Sequence, residues 1–290
     1  MTEKHALAVP AVVGVLGGGR MGAGIAHAFL LAGSRVTVVE RDGQAAEAAR
    51  ERIERDLART LERGSVDGNL DEWAENLSVS LDHTDFAPCE LVVEAVPEVW
   101  DLKVAALQEV ERHLADTAWL ATNTSSLSVD GLAEQLSRPE RFCGLHFFNP
   151  VPASKLVEVV NSKHTGEELK RLSVQWVEGL GKTAVVVNDA PGFASSRLGV
   201  AIALEAVRMV EEGVASPEDI DNAMVLGYRF PVGPLALTDI VGLDVRLGIA
   251  EYLESELGPR FAPPQLMRDM VARGELGRKT GKGFFAYDQQ

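Results

Sequence analysis

Short apolar runs bounded by turn residues recur through the first part of the chain and then stop. The run Val12–Leu16 is short and mostly β-branched, the mark of a fully buried strand. Residues 23–32 are almost all small or apolar, without proline, and predict a buried helix. Gly33 and Ser34 end it, and residues 36–39 predict a second buried strand. Residues 44–63 lack proline and glycine and carry Ile53, Leu57 and Leu61 at helical spacing, which predicts a long helix before a turn cluster at 64–69. Residues 77–81 alternate like a strand, and the run 91–96, flanked by acids, reads as a central parallel strand stopped by Pro97. A helix at 101–113, a strand at 118–122, a helix from about Val129, strands at 141–148 and 155–160, a helix at 167–180 and a last strand at 183–187 follow. The turn-rich break 188–192 ends this pattern. Beyond it, 197–213, 217–226, 239–257 and 264–273 all read as helices, and Ser216-Pro217-Glu218-Asp219 is a capped helix start. The pattern predicts an α/β domain over 1–187 and an all-helical domain over 188–290.

The first strand runs directly into Gly17-Gly18-Gly19-Arg20-Met21-Gly22. Gly17 permits a tight turn, Gly19 allows a pyrophosphate to approach the backbone, and Gly22 permits close helix–strand packing. The helix that follows offers free N–H groups and the positive end of its dipole to phosphates. Glu40 closes the second strand about 20 residues past Gly19, where a carboxylate accepts the ribose hydroxyls of NAD and repels a 2′-phosphate. Strand, glycine turn, helix and acid together predict a Rossmann-type NAD-binding domain, with adjacent Arg41 acting against the preference over NADP.

Ligands of such sheets sit beyond the carboxyl ends of the strands. Glu98 falls there, as does the polar loop 123–128, which reads either as ligand contact or as cap chemistry for the next helix. Lys103 lies in the first turn of its helix, against the dipole, which hints at an anionic partner. The strands at 141–148 and 155–160 are joined by too short a connection to be parallel. A hairpin symmetric about Pro152 sets His146 opposite Glu158. A carboxylate among valines is costly without a partner. The pair reads either as a general base, with Glu158 orienting the imidazole, or as a buried ion pair that holds the hairpin.

Composition narrows the classes. The chain has 290 residues with 28 Lys and Arg against 43 Asp and Glu, a balance that argues against nucleic acid as a partner. No run of 18 apolar residues predicts a membrane span, and residues 1–10 do not read as a secretion signal. Cys89 and Cys143 predict buried thiols, with neither disulfide framework nor metal cluster, and a cytoplasmic protein. The arginines of 44–63 alternate with glutamates, either as a solvated face or with a subset facing an anionic cofactor tail. The basic, glycine-rich tail 277–285 is either a loose end or folds back to bring a cation to the cofactor.

Six stretches resemble the 3-hydroxyacyl-CoA dehydrogenase family across nearly the whole chain: 17–24, 92–98, 123–127, 146–158, 190–198 and 277–285. The most specific is His146-Phe147-Phe148-Asn149-Pro150-Val151-Pro152 followed by Lys155-Leu156-Val157-Glu158. The resemblance implies NAD-dependent oxidation of (S)-3-hydroxyacyl-CoA to 3-ketoacyl-CoA, on short chains such as 3-hydroxybutyryl-CoA. It implies a homodimer through the helical domain and a place in fatty-acid or related metabolism. His146 becomes the catalytic base, Glu158 its orienting partner, and Ser125 a contact near the reacting oxygen and the nicotinamide. Glu98, Lys103, Asn149 and Lys279 line the cofactor site with the glycine loop, and Glu40 holds the adenosine ribose. The chain departs at Ser196, where many members carry an asparagine that touches substrate near the reacting carbon. Ser196 is carried over as a site residue, and the departure leaves open the same chemistry on a carrier-linked or free 3-hydroxy acid. A protein that binds NADH without turnover is the reading from another class.

Overall fold

The computed structural model describes residues 9–64, 66 and 68–288. Residues 1–8, and Ser65 and Asp67 of the predicted turn cluster, lie outside them. The chain forms two compact units, one ending at Ala190 and the other starting at Pro191.

The first unit is built on one eight-stranded sheet in the order β3-β2-β1-β4-β5-β6-β7-β8. Its first elements are β1 (Val12–Leu16), α1 (Arg20–Leu31), β2 (Arg35–Val39), α2 (Gly43–Glu62), α3 (Leu70–Glu75) and β3 (Leu77–Ser80). Then come β4 (Leu91–Glu94), α4 (Trp100–His113), β5 (Trp119–Thr122), α5 (Val129–Ala133), β6 (Phe142–Phe147), β7 (Leu156–Asn161), α6 (Glu167–Gly179) and β8 (Thr183–Asn188). Neighbouring strands are parallel throughout except β6 and β7, which form the antiparallel pair that the short connection requires. Helix α1 buries residues 22–30, of which only His27 is polar, its Nε2 lying 2.9 Å from Thr60 Oγ1 of α2. Helix α2 starts at Asp42, whose carboxylate accepts the Ala45 N–H at 2.8 Å, and buries only the stripe Ala49, Ile53 and Leu57. Strand β4 ends at Glu94 rather than at 96, because the Glu94 carboxylate takes the Val96 N–H at 2.7 Å and turns the chain out of the ladder. The sequence pattern missed α3, a short helix capped by Asn69 that buries Trp73.

The second unit is all helical: α7 (Ser195–Glu211), α8 (Pro217–Tyr228), α9 (Pro234–Val241), α10 (Leu243–Leu257) and α11 (Gln265–Ala272). Its core includes Val200, Leu204, Val207, Leu235, Ala250, Leu253 and Met267. The helix predicted over 239–257 is in fact two. Gly242 stands between α9 and α10 at φ +104°, a conformation that no α-helix continues through. The tail folds back within this unit rather than running loose. The N–H groups of Phe284 and Phe285 and the Tyr287 hydroxyl all donate to the Asp239 carboxylate at 3.0 Å.

The glycine turn depends on one close approach. A Cβ built on Gly22 would lie 1.7 Å from the Gly17 carbonyl oxygen. Gly22→Ala is therefore expected to destabilise the protein by about 3 kcal/mol or more, measured by urea unfolding. A variant that unfolds at the parent's midpoint would contradict this packing.

Candidate active site

A cleft of 1080 Å³ in the first unit opens at the carboxyl ends of the parallel strands. Every strand of a parallel sheet delivers its following loop to this one edge, so residues far apart in sequence meet here. Gly17 leaves β1 at φ +89°. A Cβ on Gly19 would meet nothing of the protein within 4 Å, so the room it leaves belongs to the cleft. Gly19 is also the N-cap of α1, with no side-chain acceptor and no acid in the first turn. The helix thus presents its N-terminal N–H groups to an anion, and Arg20 and Met21 line the cleft beside them. This cradle fits the pyrophosphate of a dinucleotide.

Glu40 follows β2 and lines the same cleft. Its Oε1 accepts the Gly18 N–H at 2.6 Å and its Oε2 the Arg41 N–H at 3.1 Å. Arg52 reaches in from α2 and donates to the Gly18 carbonyl at 2.7 Å. Of the α2 arginines, Arg50 and Arg59 pair with acids of their own helix, whereas Arg52 turns inward. The Arg41 guanidinium is taken up by Asp42 at 2.9 Å.

At the ends of β4 and β5 lies a buried charge network. Glu94, fully buried, accepts from Lys103 Nζ at 2.7 Å and from Thr122 Oγ1 at 2.6 Å. The anionic partner expected of Lys103 is thus a carboxylate of the chain itself, one that looked in sequence like the polar flank of a strand. Lys103 also donates to the Val96 carbonyl at 3.0 Å and lies 3.3 Å from Glu98 Oε2. Glu98 Oε1 gathers the loop after β5. It accepts from Thr124 Oγ1 at 2.7 Å, the Ser125 and Ser126 N–H groups at 2.8 and 3.0 Å, and their hydroxyls at 3.2 and 3.0 Å. Burial alone would raise the Glu98 carboxyl. The Lys103 charge and the bonds from Thr124, Ser125 and Ser126 outweigh it and hold the group below the usual glutamate range.

His146 on β6 and Glu158 on β7 are register partners, and His146 Nδ1 lies 2.8 Å from Glu158 Oε2. His146 is 6% exposed and Glu158 0%. The Phe148 ring packs 4.4 Å from the imidazole, and Asn123 Oδ1 accepts the Phe147 N–H at 2.9 Å, tying the loop after β5 to β6. Asn149 lines the cleft from the hairpin turn. Lys182, which sequence reasoning passed over, holds that turn by donating to the carbonyls of Val151 and Ser154 at 2.7 and 2.6 Å. Burial lowers its pKa.

Two expected site residues belong to the second unit. Ser196 stands in the first turn of α7. Lys279 Nζ is 2.6 Å from each carboxylate oxygen of Asp244, so its charge is matched within that unit. Cys89 and Cys143 are free and buried, and burial pushes both thiols up to about 12. No cluster of metal-ligating side chains occurs among the described residues. No helix among them is long and apolar enough to cross a membrane.

A phosphate cradle at the head of a parallel sheet, an acid after its second strand and a buried imidazole–carboxylate pair at the same edge define a dinucleotide-dependent dehydrogenase. The chain belongs to the 3-hydroxyacyl-CoA dehydrogenase family: residues 12–190 match the model of its NAD binding domain and residues 192–287 that of its C-terminal domain. It is 40% identical over 275 residues to a probable 3-hydroxybutyryl-CoA dehydrogenase of Deinococcus radiodurans, covering 94% of this chain and 99% of the relative. It is also 40% identical over 279 residues to the 3-hydroxybutyryl-CoA dehydrogenase of Mycobacterium tuberculosis, covering 95% and 98%. Among solved structures, the (S)-3-hydroxybutyryl-CoA dehydrogenase of Ralstonia eutropha superposes with a TM-score of 0.92 at 36% identity, covering 97% of this chain and 100% of that one. The enzyme is an NAD-dependent oxidoreductase acting on 3-hydroxyacyl-CoA.

Lys103→Met leaves Glu94 buried without its cation, an expected loss of about 3–5 kcal/mol in urea unfolding. Adding Glu94→Gln is expected to recover part of that loss. A Lys103→Met protein as stable as the parent would remove the pair from this account.

Glu98 makes a second prediction, on acid stability. A carboxylate lowered in the folded state contributes stability that is complete above its unfolded value of about 4.3. That contribution fades as the pH falls through the lowered folded value. Glu98→Gln is expected to flatten the dependence of the urea midpoint on pH below about 4.3; identical acid limbs in the two proteins would contradict the assignment.

Proposed function

We propose that the enzyme oxidises short-chain (S)-3-hydroxyacyl-CoA, 3-hydroxybutyryl-CoA among them, with His146 as general base oriented by Glu158. The observation that carries this reading is the His146 Nδ1–Glu158 Oε2 contact of 2.8 Å across the hairpin. Glu158 keeps the proton of the pair on Nδ1, so Nε2 is the nitrogen that exchanges a proton with the substrate hydroxyl. NAD, when bound, supplies the acceptor for the hydride that leaves the hydroxyl-bearing carbon. In the reverse direction the imidazolium returns the proton to the keto oxygen, and Glu158 stabilises that charged form. Ser125, which lines the same cleft as His146, is assigned the contact that steadies this oxygen. Its bond to Glu98, at 3.2 Å, is the longest of the five at that carboxylate oxygen and the easiest to exchange. The glycine loop with Arg20 and Met21, and Glu98, Lys103 and Asn149, form the cofactor wall, and Glu40 selects the unphosphorylated ribose. Lys279 and Ser196, both in the helical unit, are kept as site residues on the family resemblance alone.

The short-chain reading draws on the relatives named 3-hydroxybutyryl-CoA dehydrogenase. Pairing with a second copy through the helical unit is supported by Leu198, Ile202, Ile240, Val241 and Val245, apolar side chains of α7, α9 and α10 left exposed. Ser196 favours a second reading, the same chemistry on a carrier-linked or free 3-hydroxy acid.

The decisive assay follows NADH absorbance with acetoacetyl-CoA, with NADPH, carrier-linked and free-acid substrates in parallel. Rapid, NADH-selective consumption on the CoA thioester is the expected result. His146→Ala is expected to lower turnover by about 10²–10⁴-fold with little change in NADH affinity. Parental turnover in that variant would overturn the assignment of the base.

A further inference from the structure

Among the arginines that alternate with glutamates along α2, Arg52 lines the cleft, and the reaction above does not use it. Asp56 follows one turn on along the same helix, where an i,i+4 ion pair would be ordinary. Asp56 instead pairs with Arg59 at 3.8 Å, and Arg52 Nη1 donates to the Gly18 carbonyl at 2.7 Å. The approach is close: a Cβ built on Gly18 would come 2.4 Å from the Ala49 Cβ, so the glycine is what lets α2 lie this near the loop. Three successive glycines, Gly17 to Gly19, are the least restrained backbone a chain can have. A loop that presents N–H groups to a diphosphate binds best when it is held in one conformation beforehand. The Gly18–Gly19 peptide is trans, so its C=O and N–H point in opposite directions. With the Gly18 carbonyl fixed on Arg52, the Gly19 N–H is turned away from Arg52. That N–H has no acceptor among the described residues.

We propose that Arg52 is a positioning residue for the pyrophosphate of the cofactor. By holding the Gly18 carbonyl it keeps the Gly19 N–H, and with it the head of α1, open toward the two phosphates. This rests on the reading of the glycine loop as the phosphate cradle. The loop has no side chains of its own between Gly17 and Gly19, so its restraint has to come from outside. Glu40 takes the Gly18 N–H at 2.6 Å and Arg52 the Gly18 carbonyl. A charged donor makes the stronger kind of hydrogen bond, and the guanidinium stays charged throughout the working pH range.

The test measures binding without turnover, by calorimetric titration of NADH, ADP and adenosine into the parent and its variants. ADP carries the diphosphate and adenosine lacks it. Arg52→Met is expected to weaken NADH and ADP by about ten- to a hundredfold and to leave adenosine at its parental affinity. Arg52→Lys, which keeps the charge and a donor without the fork, is expected to fall between. The ADP deficit of Arg52→Met is expected to persist in about 0.5 M NaCl, where attraction through solvent is screened within about 4 Å. A deficit that salt removes makes Arg52 a distant charge only and overturns the proposal. Parental ADP affinity in Arg52→Met overturns it too, as does an equal loss of adenosine, which marks a collapse of the whole cleft. If the parent itself binds ADP no better than adenosine, the cradle reading fails and the proposal with it. A parental preference for ADP that Arg52→Met retains defeats this inference alone.

Discussion

A carboxylate with no solvent exposure, in a strand of valines, has to be compensated by something its neighbours carry, and Glu158 sets that condition on the sheet. On one side β8 runs parallel to β7 and offers Val185 opposite Glu158. On the other, β6 runs antiparallel and offers His146. A slip of one residue in that pairing would turn the carboxylate to the opposite face and leave the imidazole without it. Register is thus fixed by electrostatics as well as by packing. The means are local: a short turn after Phe148, the Lys182 ammonium holding the carbonyls of Val151 and Ser154, and Asn123 holding the Phe147 N–H.

The same logic recurs at the end of β4. Placing Lys103 in the first turn of α4 sets its charge against the helix dipole, at about 0.3–1 kcal/mol. The contact with Glu94 outweighs this, because neither charge has access to water. The Glu94 carboxylate is further satisfied by the Val96 N–H and the Thr122 hydroxyl, so the pair is hydrogen-bonded as well as matched. From Lys103 the contacts pass to Glu98 and then to the backbone and hydroxyls of Ser125 and Ser126. The loop that brings Ser125 to the cleft has little regular structure of its own. It is held by a carboxylate whose position is set from beneath by a buried lysine.

The sheet, the glycine turn and the hairpin were legible because each is written in neighbouring residues: short apolar runs, a fixed glycine spacing, and two positions symmetric about Pro152. That Glu98 and the loop 123–128 reach the cleft was legible from their lying just past strand ends. Glu94 was not, since an acid beside valines reads equally well as a polar flank. The break at Gly242 was hidden because the residues on both sides keep helical periodicity. Lys182 and Arg52 look in sequence like ordinary surface cations. That both bind backbone carbonyls is a fact of three dimensions that spacing does not encode.

Gly18 shows how closely cofactor choice and loop structure are joined. Its N–H is taken by Glu40 and its carbonyl by Arg52, so both ends of the residue are held by side chains from outside the loop. In the proposed role, the carboxylate that turns away a 2′-phosphate is the same one that keeps the glycine loop in shape. Removing the charge to admit a phosphorylated cofactor would also strip the Gly18 N–H of its acceptor, and a buried donor left unpaired costs about 1–3 kcal/mol. A residue that relaxes the preference without loosening the loop must be neutral and still present an acceptor to Gly18. Selectivity and loop rigidity therefore rest on two properties of one side chain, its charge and its acceptor oxygen.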